Sequence, residues 1–474
     1  MMRALVLLHR WLGVALCLLF AMWFASGIVM HFVPFPDLTE AQRFAGLPPL
    51  DLTRVAQGPA AAVRASGISG ATRVRLVQRS DGPVYLVSRR PAVKAIRADD
   101  LADGAVRSAP LALAIAVDYA RRRQLDFSDA EVLEMTAPDQ WTVSGFYNRD
   151  RPLYRVALND GLGTELYVSS TTGEIVLATT RRERMWNYFG SVAHWIYPTV
   201  LRSHPAEWSQ LIWWLSLLAL IGATAGAIVG VMRIDIKDRR PRSPYRGWQA
   251  WHHVLGLCCM LFVWSWIFSG WLSMDDGQLF STGRPSNAET ASVTGVPVWN
   301  ALSPDVARVG PAVSEVEWFA FDGQIYRRER IGLDSQRLVG PDPRDANPAG
   351  YLAADALHAV AGRLAPACRP PVIVADDDAY PAASVIQNAP VYRLVCGNDW
   401  FDIDASNGAL LQKLDASRRA HRWLYGALHR LNFAALTSRP ALRSTLIVVL
   451  CGFGFVFSLT GVVIGWRRLR SCLR

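Results

Sequence analysis

Lysine is scarce in this sequence: Lys94, Lys237 and Lys413 are the only lysines among 50 basic residues, and charged residues make up just 19% of the chain. The low charge, together with 10% aromatic residues, excludes a disordered chain. A net charge of +10 would favour nucleic acid as a partner only if the basic residues formed one face. They collect instead at the ends of apolar runs, a membrane pattern that predicts no nucleic-acid partner.

Motifs for nucleotide binding and thiol redox chemistry are also absent. The chain has no Walker loop, no Rossmann glycine fingerprint and no CxxC pair. If the protein transfers electrons, they must therefore come from a separate cytoplasmic flavoprotein or from quinol. Of the seven cysteines, only Cys368 and Cys396 lie outside the apolar runs and the C-terminal tail. An oxidising compartment would permit these two to pair.

Four apolar runs without charged residues are long enough to cross a bilayer. They cover residues 11–30, 211–232, 254–274 and 446–466. Arginines flank these runs at the N-terminus, in the link between the second and third runs, and in the C-terminal tail, so the positive-inside rule predicts that all three parts are cytoplasmic. The two long segments would then be external. This pattern predicts a multi-pass membrane protein in contact with the lipid bilayer, with two large external domains that lie in the periplasm if the cell is Gram-negative.

The strongest feature of the sequence is an internal repeat. Residues 171–195 align without a gap on residues 406–430, and the same offset of 235 residues continues as far as Gly230 and Gly465. The first and third apolar runs align at an offset of 243 residues. The chain is therefore two copies of span, external domain and span. Both copies enter the membrane in the same sense, so we expect a pseudo-twofold axis along the membrane normal.

The repeat divides the chain into seven predicted parts. They are a first span (1–33), an external domain (34–185), a membrane-surface helix with the second span (186–233), a cytoplasmic link (234–250), a third span (251–274), a second external domain (275–420), and a membrane-surface helix with the fourth span and cytoplasmic tail (421–474). Residue patterns in the external segments predict helices at 110–123 and 353–364, and strands at 141–144, 154–158, 165–169, 391–395 and 400–403. Residues 282–311 are loop-rich. The predicted fold class is an α+β membrane protein with four transmembrane helices.

Several motifs resemble the PepSY-associated transmembrane family. They are the strand-turn-strand YVSSTTGEIV, the span opening HRWLG, and the elements FGSVAHW and YGALHRL before the later spans. The resemblance implies that the external domains are PepSY-like. The family includes iron-regulated inner-membrane proteins, and some members are ferric-siderophore reductases that bind b-type haem. The resemblance therefore implies a haem-b electron-transfer protein that reduces a periplasmic ferric siderophore or another iron chelate.

Four of the nine histidines form two repeat-related pairs. His9 and His252 lie at the starts of the first and third spans, while His194 and His429 precede the second and fourth spans. Haem iron binds axial ligands on opposite sides, and neutral imidazole is a common one. A pseudo-twofold axis can bring each pair together. We therefore predict two b-type haems, one near each membrane face, with these four histidines as the iron ligands and no nucleophile or general base.

Other readings of the same residues stay open. His31 or His253 could replace a predicted ligand, and interfacial histidines also form ordinary hydrogen bonds at helix ends. Ser26 and Ser269, each followed by glycine, are predicted to pack helices. The tryptophans of the first and third spans are predicted mainly to anchor the helices in lipid.

Two other functions are compatible with the sequence. A non-enzymatic membrane sensor or protease-modulating protein is one, because PepSY modules elsewhere are binding or inhibitory units. A transporter is suggested by the duplicated architecture, but the spans lack charged residues and only four helices are predicted. Purified haem-free protein would favour the sensor.

Overall fold

The computed structural model describes residues 2–237, 240–275, 279–301, 309–310, 312–341, 346–347, 350–365, 367–386 and 389–472. The chain forms two compact units. The helical unit comprises Met1–Phe35, Glu183–Ser281 and Ser417–Arg474. The sheet unit comprises Pro36–Arg182 and Thr282–Ala416.

Four long apolar helices build the helical unit. They are Met2–Phe32, Pro205–Met232, Trp248–Met274 and Pro440–Cys472, the first to fourth spanning helices. Each is at least 27 residues long and has an 18-residue window with a mean hydropathy of 1.8 or more, which suffices to cross a bilayer. The four predicted spans are thus confirmed. Every helix extends beyond its apolar run because backbone hydrogen bonds continue into the polar flanks.

The spanning helices form a bundle with a definite neighbour order. The first helix packs on the second and the fourth, and the third helix packs on the same two neighbours. The first and third helices therefore face each other across the bundle. Its buried core includes Leu16, Phe24, Ala219, Val263 and Cys451.

Short helices precede the second and fourth spanning helices in both copies of the repeat. The first copy has Arg181–Asn187 and a π-helical segment, Tyr188–Val192, before Thr199–Arg202. The second copy has Ala416–His421, the π-helical segment Arg422–Ala427, Leu428–Arg430 and Ala434–Thr437. Aromatic side chains on the first copy are well exposed, at 54% for Tyr188 and 64% for Phe189, as suits contact with a membrane surface.

The strands are numbered in chain order. They are β1 (Arg73–Arg79), β2 (Gly82–Arg89), β3 (Ala92–Arg97), β4 (Glu131–Thr136), β5 (Leu153–Ala157), β6 (Glu165–Ser169), β7 (Ile175–Thr179), β8 (Asp235–Lys237), β9 (Arg240–Arg242), β10 (Glu315–Phe321), β11 (Gln324–Arg330), β12 (Gln336–Val339), β13 (Ala346–Asn347), β14 (Val372–Ile373), β15 (Val391–Cys396), β16 (Asp399–Asp404) and β17 (Leu410–Leu414). β8 and β9 form a hairpin in the link between the second and third spanning helices.

The largest sheet of the sheet unit has strands from both halves of the chain. Its order is β13-β12-β11-β10-β1-β2-β3, and all neighbouring strands are antiparallel. The central pair, β1 and β10, joins the two halves and places Arg75 opposite Glu317. Sequence patterns predicted none of these seven strands. The two external segments, which the repeat assigned to one domain each, therefore share a sheet.

Two four-stranded sheets repeat one topology. Their orders are β4-β5-β6-β7 and β14-β15-β16-β17. The predicted strands at 154–158, 165–169, 391–395 and 400–403 are confirmed. The predicted strand at 141–144 is wrong. The Asp139 carboxylate accepts hydrogen bonds from the backbone N–H groups of Trp141 and Thr142, at 3.0 and 2.9 Å, and this closes a turn instead.

Helices in the sheet unit are short. They are Glu40–Ala45, Pro59–Ser66, Ala109–Arg122, Asn287–Thr294 and Leu357–Leu364, with 3-10 turns at Leu52–Arg54, Gly145–Arg149, Trp299–Ala301 and Ala354–Ala356. The predicted helix at 110–123 is confirmed, and the one at 353–364 is shorter than expected. Asn287–Thr294 lies in the region predicted to be loop-rich. Its start carries a capping box between Ser286 and Glu289. Residues 302–308 and 311 of that region lie outside the described residues.

Cys368 and Cys396 form a disulfide, as the sequence suggested. We expect replacement of both cysteines by alanine to lower the free energy of unfolding of the sheet unit by about 3–4 kcal/mol, because the bond closes a long loop in the unfolded chain. Thermal melting of the full-length protein measures this change. Reductant should destabilise the wild type and leave the double variant unaffected. Equal melting temperatures for the two proteins would contradict this expectation.

Candidate cofactor site

The first histidine pair, His9 and His252, lies across the helical bundle, on the first and third spanning helices. The two ring centroids are 6.2 Å apart. Nδ1 of His9 lies 3.0 Å from the carbonyl oxygen of Gly222, and Nδ1 of His252 lies 2.9 Å from the hydroxyl oxygen of Thr460. Each ring is therefore held through Nδ1 by a neighbouring spanning helix.

The second histidine pair, His194 and His429, follows the two π-helical segments. Its ring centroids are 6.3 Å apart. Nδ1 of His194 lies 3.0 Å from Oγ of Ser26, and Nδ1 of His429 lies 3.2 Å from Oγ of Ser269. These serines were predicted only to pack helices. In the structure they also orient the histidine rings.

The hydrogen-bond network determines which ring nitrogen carries the proton. Ser26 donates its hydroxyl hydrogen to the carbonyl of Met22 at 2.6 Å, and Ser269 donates to that of Trp266 at 3.1 Å. Thr460 likewise donates to a carbonyl, that of Phe457, at 2.5 Å.

Because these hydroxyl hydrogens already have acceptors, we assign Nδ1–H of the facing imidazole as the donor to each hydroxyl oxygen. Nδ1 of His194 and of His429 also lies 3.2 Å from a backbone carbonyl, of Trp23 and Trp266, which can only accept. His9 donates directly to a carbonyl. All four rings are thus held as the Nδ1–H tautomer, which leaves the Nε2 lone pair for another partner.

The separation of the rings matches a ligand pair for one iron. Two imidazoles that bind a metal from opposite sides, each through a bond of about 2 Å, hold their ring centroids about 6 Å apart. Both pairs have that spacing, at 6.2 and 6.3 Å. The described residues contain no group of three or more His, Cys, Asp or Glu side chains that could hold a metal ion. Two protein ligands suit a haem, whose porphyrin supplies the other four, better than a closed tetrahedral zinc site.

A cavity of about 750 Å³ adjoins the first histidine pair. This volume is within the range of about 300–1,000 Å³ that is common for ligand pockets. Its lining is mostly apolar and also includes four arginines: Arg10, Arg246, Arg467 and Arg468. The cavity therefore combines an apolar interior with groups that bind carboxylates.

Glycines leave room for the histidine rings. A Cβ atom on Gly226 would lie 2.5 Å from Cε1 of His9, and one on Gly270 would lie 3.2 Å from Cε1 of His429. The repeat-equivalent positions, Gly461 and Gly27, approach the other two rings more loosely, at 3.5 and 3.7 Å. Close approach of a ring to a helix backbone therefore explains why glycine occurs at Gly226.

Burial keeps the second pair neutral. His194 and His429 lie on short helices outside the four spanning helices, and burial lowers the pKa of each to about 4. For His194 the neighbouring His429 lowers the pKa further, while the hydrogen bond to the backbone of Trp23 opposes the shift. Neutral imidazole is the form that binds a metal.

The two alternative ligands are engaged elsewhere. Both ring nitrogens of His253 lie within hydrogen-bond distance of a partner, Oγ of Ser243 at 2.9 Å and the carbonyl of Gly230 at 2.8 Å. Nε2 of His31 lies 2.9 Å from Oγ of Ser444. His253 thus anchors the link between the second and third spanning helices, and His31 joins the first helix to the fourth.

Sequence reasoning missed several residues around the histidines. The indole N–H of Trp23 donates to the carbonyl of His194 at 3.0 Å, and that of Trp266 donates to the carbonyl of Leu428 at 2.9 Å. These two tryptophans therefore hold the histidine helices rather than serving only as lipid anchors. Phe457 stacks on His252 with centroids 4.8 Å apart. Because Trp23 and Trp266 occupy equivalent positions in the repeat, the sequence alone could have marked both as residues with a shared structural role.

No curated protein matches the chain. The family model described as the PepSY-associated TM region matches residues 6–468, which is nearly the entire sequence. With its four spanning helices and the α+β segments between them, the protein belongs to the PepSY-associated transmembrane family.

Proposed function

We propose that this multi-pass membrane protein is a haem-b electron-transfer protein that reduces an external iron chelate, with a ferric siderophore as the preferred acceptor. The observation that carries the proposal is the geometry of the two repeat-related histidine pairs. The rings of each pair have the spacing that two imidazoles holding one iron would have, and each ring is held through Nδ1. Under this proposal His9 and His252 hold one haem, and His194 and His429 hold the other.

In this proposal the chain's own residues hold each haem and orient the histidine rings that bind it. Each of the four histidines would bind iron through Nε2, and the hydroxyl and carbonyl partners at Nδ1 would fix the ring orientation and raise the basicity of the ligand. Apolar side chains of the spanning helices form most of the lining of the cavity beside the first pair. When bound, a haem supplies reversible one-electron chemistry at its iron.

Two sites are required because a bilayer is thick. Ser26, which contacts His194, follows His9 by 17 residues on the first spanning helix, or about 26 Å at 1.5 Å per residue. Aromatic rings occupy the bundle core between the pairs: Phe24 lies 6.0 Å from Trp266 and 6.4 Å from Phe262, measured between centroids. This packed aromatic core supports a transfer path along the bundle.

The arginines that line the cavity suit the carboxylates of a haem. Arg10, Arg246, Arg467 and Arg468 can pair with the two propionate groups. By the positive-inside rule these arginines lie at the cytoplasmic ends of the helices, with both termini in the cytoplasm of a bacterial cell. A separate flavoprotein or quinol is the proposed electron donor, since the sequence contains no nucleotide-binding motif.

An anionic iron chelate is the proposed external electron acceptor. The segment at 186–202 is rich in aromatic residues and the segment at 418–430 holds four arginines, and together they would suit an anionic iron chelate. Outer-sphere electron transfer requires no nucleophile or general base. The disulfide in the sheet unit supports an oxidising, periplasmic location for that unit.

An optical spectrum of the detergent-purified, full-length protein tests this function. We expect a Soret band that sharpens on reduction with dithionite, and a ratio of two haems per chain. A protein that stays colourless when expressed in cells with an ample haem supply would overturn the proposal and favour a sensor.

A further inference from the structure

The helices that carry the second histidine pair end in the same unusual turn. Ile196 and Leu431, which are equivalent in the repeat, both have left-handed backbone conformations, with φ of 49° and 47°. The next residue in each copy donates its backbone N–H back across the turn: Tyr197 to the carbonyl of Val192 at 2.8 Å, and Asn432 to that of Ala427 at 3.2 Å. This is the backbone pattern of a Schellman-type helix end.

Neither turn contains the residue that such a conformation favours. Glycine is the usual choice for a left-handed helix end, and a β-branched residue such as Ile196 is strongly disfavoured there. The last carbonyl groups of a helix also have no partner within the helix. Each turn therefore needs support from outside its own segment.

Two residues of different chemistry supply that support. The indole N–H of Trp208 donates to the carbonyls of Trp195 and Ile196, at 3.1 and 3.0 Å. Arg443 donates to the equivalent carbonyls, from Nη2 to Arg430 at 2.8 Å and from Nε to Leu431 at 3.2 Å.

Trp208 and Arg443 are themselves equivalent in the repeat. Each is the fourth residue of a spanning helix, the second for Trp208 and the fourth for Arg443. The same contact is thus made twice, once by a neutral indole and once by a charged guanidinium. A shared contact despite different side chains indicates that the contact itself matters.

We propose that Trp208 and Arg443 are positioning residues that lock the turns after His194 and His429 and so fix the orientation of the two rings. This inference rests on the proposed function for its consequence, since the rings are the proposed iron ligands. Each histidine is then held from two sides: through Nδ1 by a serine of the first or third spanning helix, and through its helix end by the second or fourth.

The contacts that Trp208 and Arg443 make with their turns differ in strength. Trp208 also packs against other side chains: its ring lies 5.6 Å from that of Tyr197, and the guanidinium carbon of Arg202 lies 4.7 Å from it. Arg443 contacts its turn through charge-assisted hydrogen bonds. Arg443→Met should therefore loosen its turn more than Trp208→Phe, which removes the N–H donor but keeps an aromatic ring for this packing.

Hydrogen exchange of the full-length protein in detergent tests the locks without reference to any cofactor. In Arg443→Met, exchange of the amide of Asn432 should accelerate by about tenfold, as expected when a net hydrogen-bond contribution is lost. Arg443→Trp, which introduces the donor of the equivalent position, should restore part of the protection. Arg439→Met, at an exposed arginine in the same region, is the matched control and should leave exchange unchanged.

Electron paramagnetic resonance of the oxidised protein tests the consequence. The low-spin signal of a bis-imidazole haem depends on the angle between the ring planes, which is 62° for the second pair. Arg443→Met should shift or broaden the signal of the second pair and leave that of the first pair unchanged.

The outcomes separate the two proposals. Unchanged exchange at Asn432 and an unchanged signal would overturn the positioning role while leaving the haem proposal intact. A wild-type protein that binds no haem would overturn the proposed function, yet the exchange result would still decide whether Arg443 locks the turn.

Discussion

Replacement of both His194 and His429 by alanine is expected to remove one of the two proposed haems and to leave the other bound. Loss of both imidazoles would remove the two side chains proposed to hold the second haem, whereas His9 and His252 lie on the first and third spanning helices at the other proposed site. The Soret absorbance per chain should therefore fall by about half. Haem content and the reduced-minus-oxidised spectrum of the purified variant measure this change.

The reciprocal variant with alanine at His9 and His252 should lose the other half of the absorbance. Alanine at His204 and His358, which are exposed histidines outside the two pairs, is the matched control and should leave the haem content at the wild-type value. If the His194/His429 double variant kept both haems, the ligand assignment would be refuted even if the protein is a haem protein.

Replacement of Glu315 by glutamine is expected to destabilise the sheet unit by about 3–5 kcal/mol, which is typical of removing one partner from a buried ion pair. Glu315 is only 1% exposed and lies at one end of the strand pair that joins the two halves of the chain. Its carboxylate is 2.9 Å from Arg43 and 3.4 Å from Arg75, both in the first external segment, and 3.8 Å from Arg330 in the second. Glutamine preserves the shape but leaves buried guanidinium groups without their counter-charge.

Urea unfolding of the full-length protein, followed by circular dichroism of the strands, measures the loss. Glu134→Gln is the matched control. Its carboxylate pairs with Arg155 at 2.9 Å but is 49% exposed, so the expected cost is about 0–1 kcal/mol. A Glu315 variant as stable as the Glu134 control would show that the buried network contributes little.

Because the Glu315 carboxylate is ionised in the folded state, we expect the stability of the sheet unit to depend on pH. Burial opposes ionisation of Glu315, but the surrounding guanidinium groups, Arg43, Arg75 and Arg330 foremost, hold its pKa well below the usual range. A folded pKa below the unfolded value of about 4.3 means that the stabilisation is fully present above that pH and is lost as the pH falls toward the folded pKa. Below about pH 4 the wild type should therefore lose stability more steeply than Glu315→Gln.

Much of the membrane architecture could be read from local patterns. Long apolar runs predict spanning helices because a bilayer requires them, and the offset of 235 residues identifies His194 with His429 without any structure. Strands at 154–158 and 165–169 were predictable because they contain alternating apolar residues and are flanked by glycines typical of turns. Residues 141–144 were mispredicted because the side chain of Asp139, outside the apolar pattern, captures the backbone and forms a turn.

The seven-stranded sheet escaped prediction for a physical reason. β11, with the sequence QIYRRER, reads as an exposed, charged segment, yet Arg328 and Arg330 are buried. Burial of these side chains is possible only because glutamates of β10 lie opposite them: Glu317 faces Arg328 and Glu315 faces Arg330. Such pairing depends on strands that approach in three dimensions, and a one-dimensional pattern of hydrophobicity does not contain it.

By itself, then, the sequence determined the four spans, the duplication and which four histidines form repeat-related pairs. These features depend only on composition and on residue spacing along the chain. Only the tertiary structure decided that His9 faces His252 at 6.2 Å, that hydroxyls and carbonyls from neighbouring helices hold Nδ1 of each ring, and that Trp208 and Arg443 make the same contact. Ring separation, proton position and equivalent contacts by unlike side chains are properties of packing between helices. They arise only when segments far apart in the sequence are brought together.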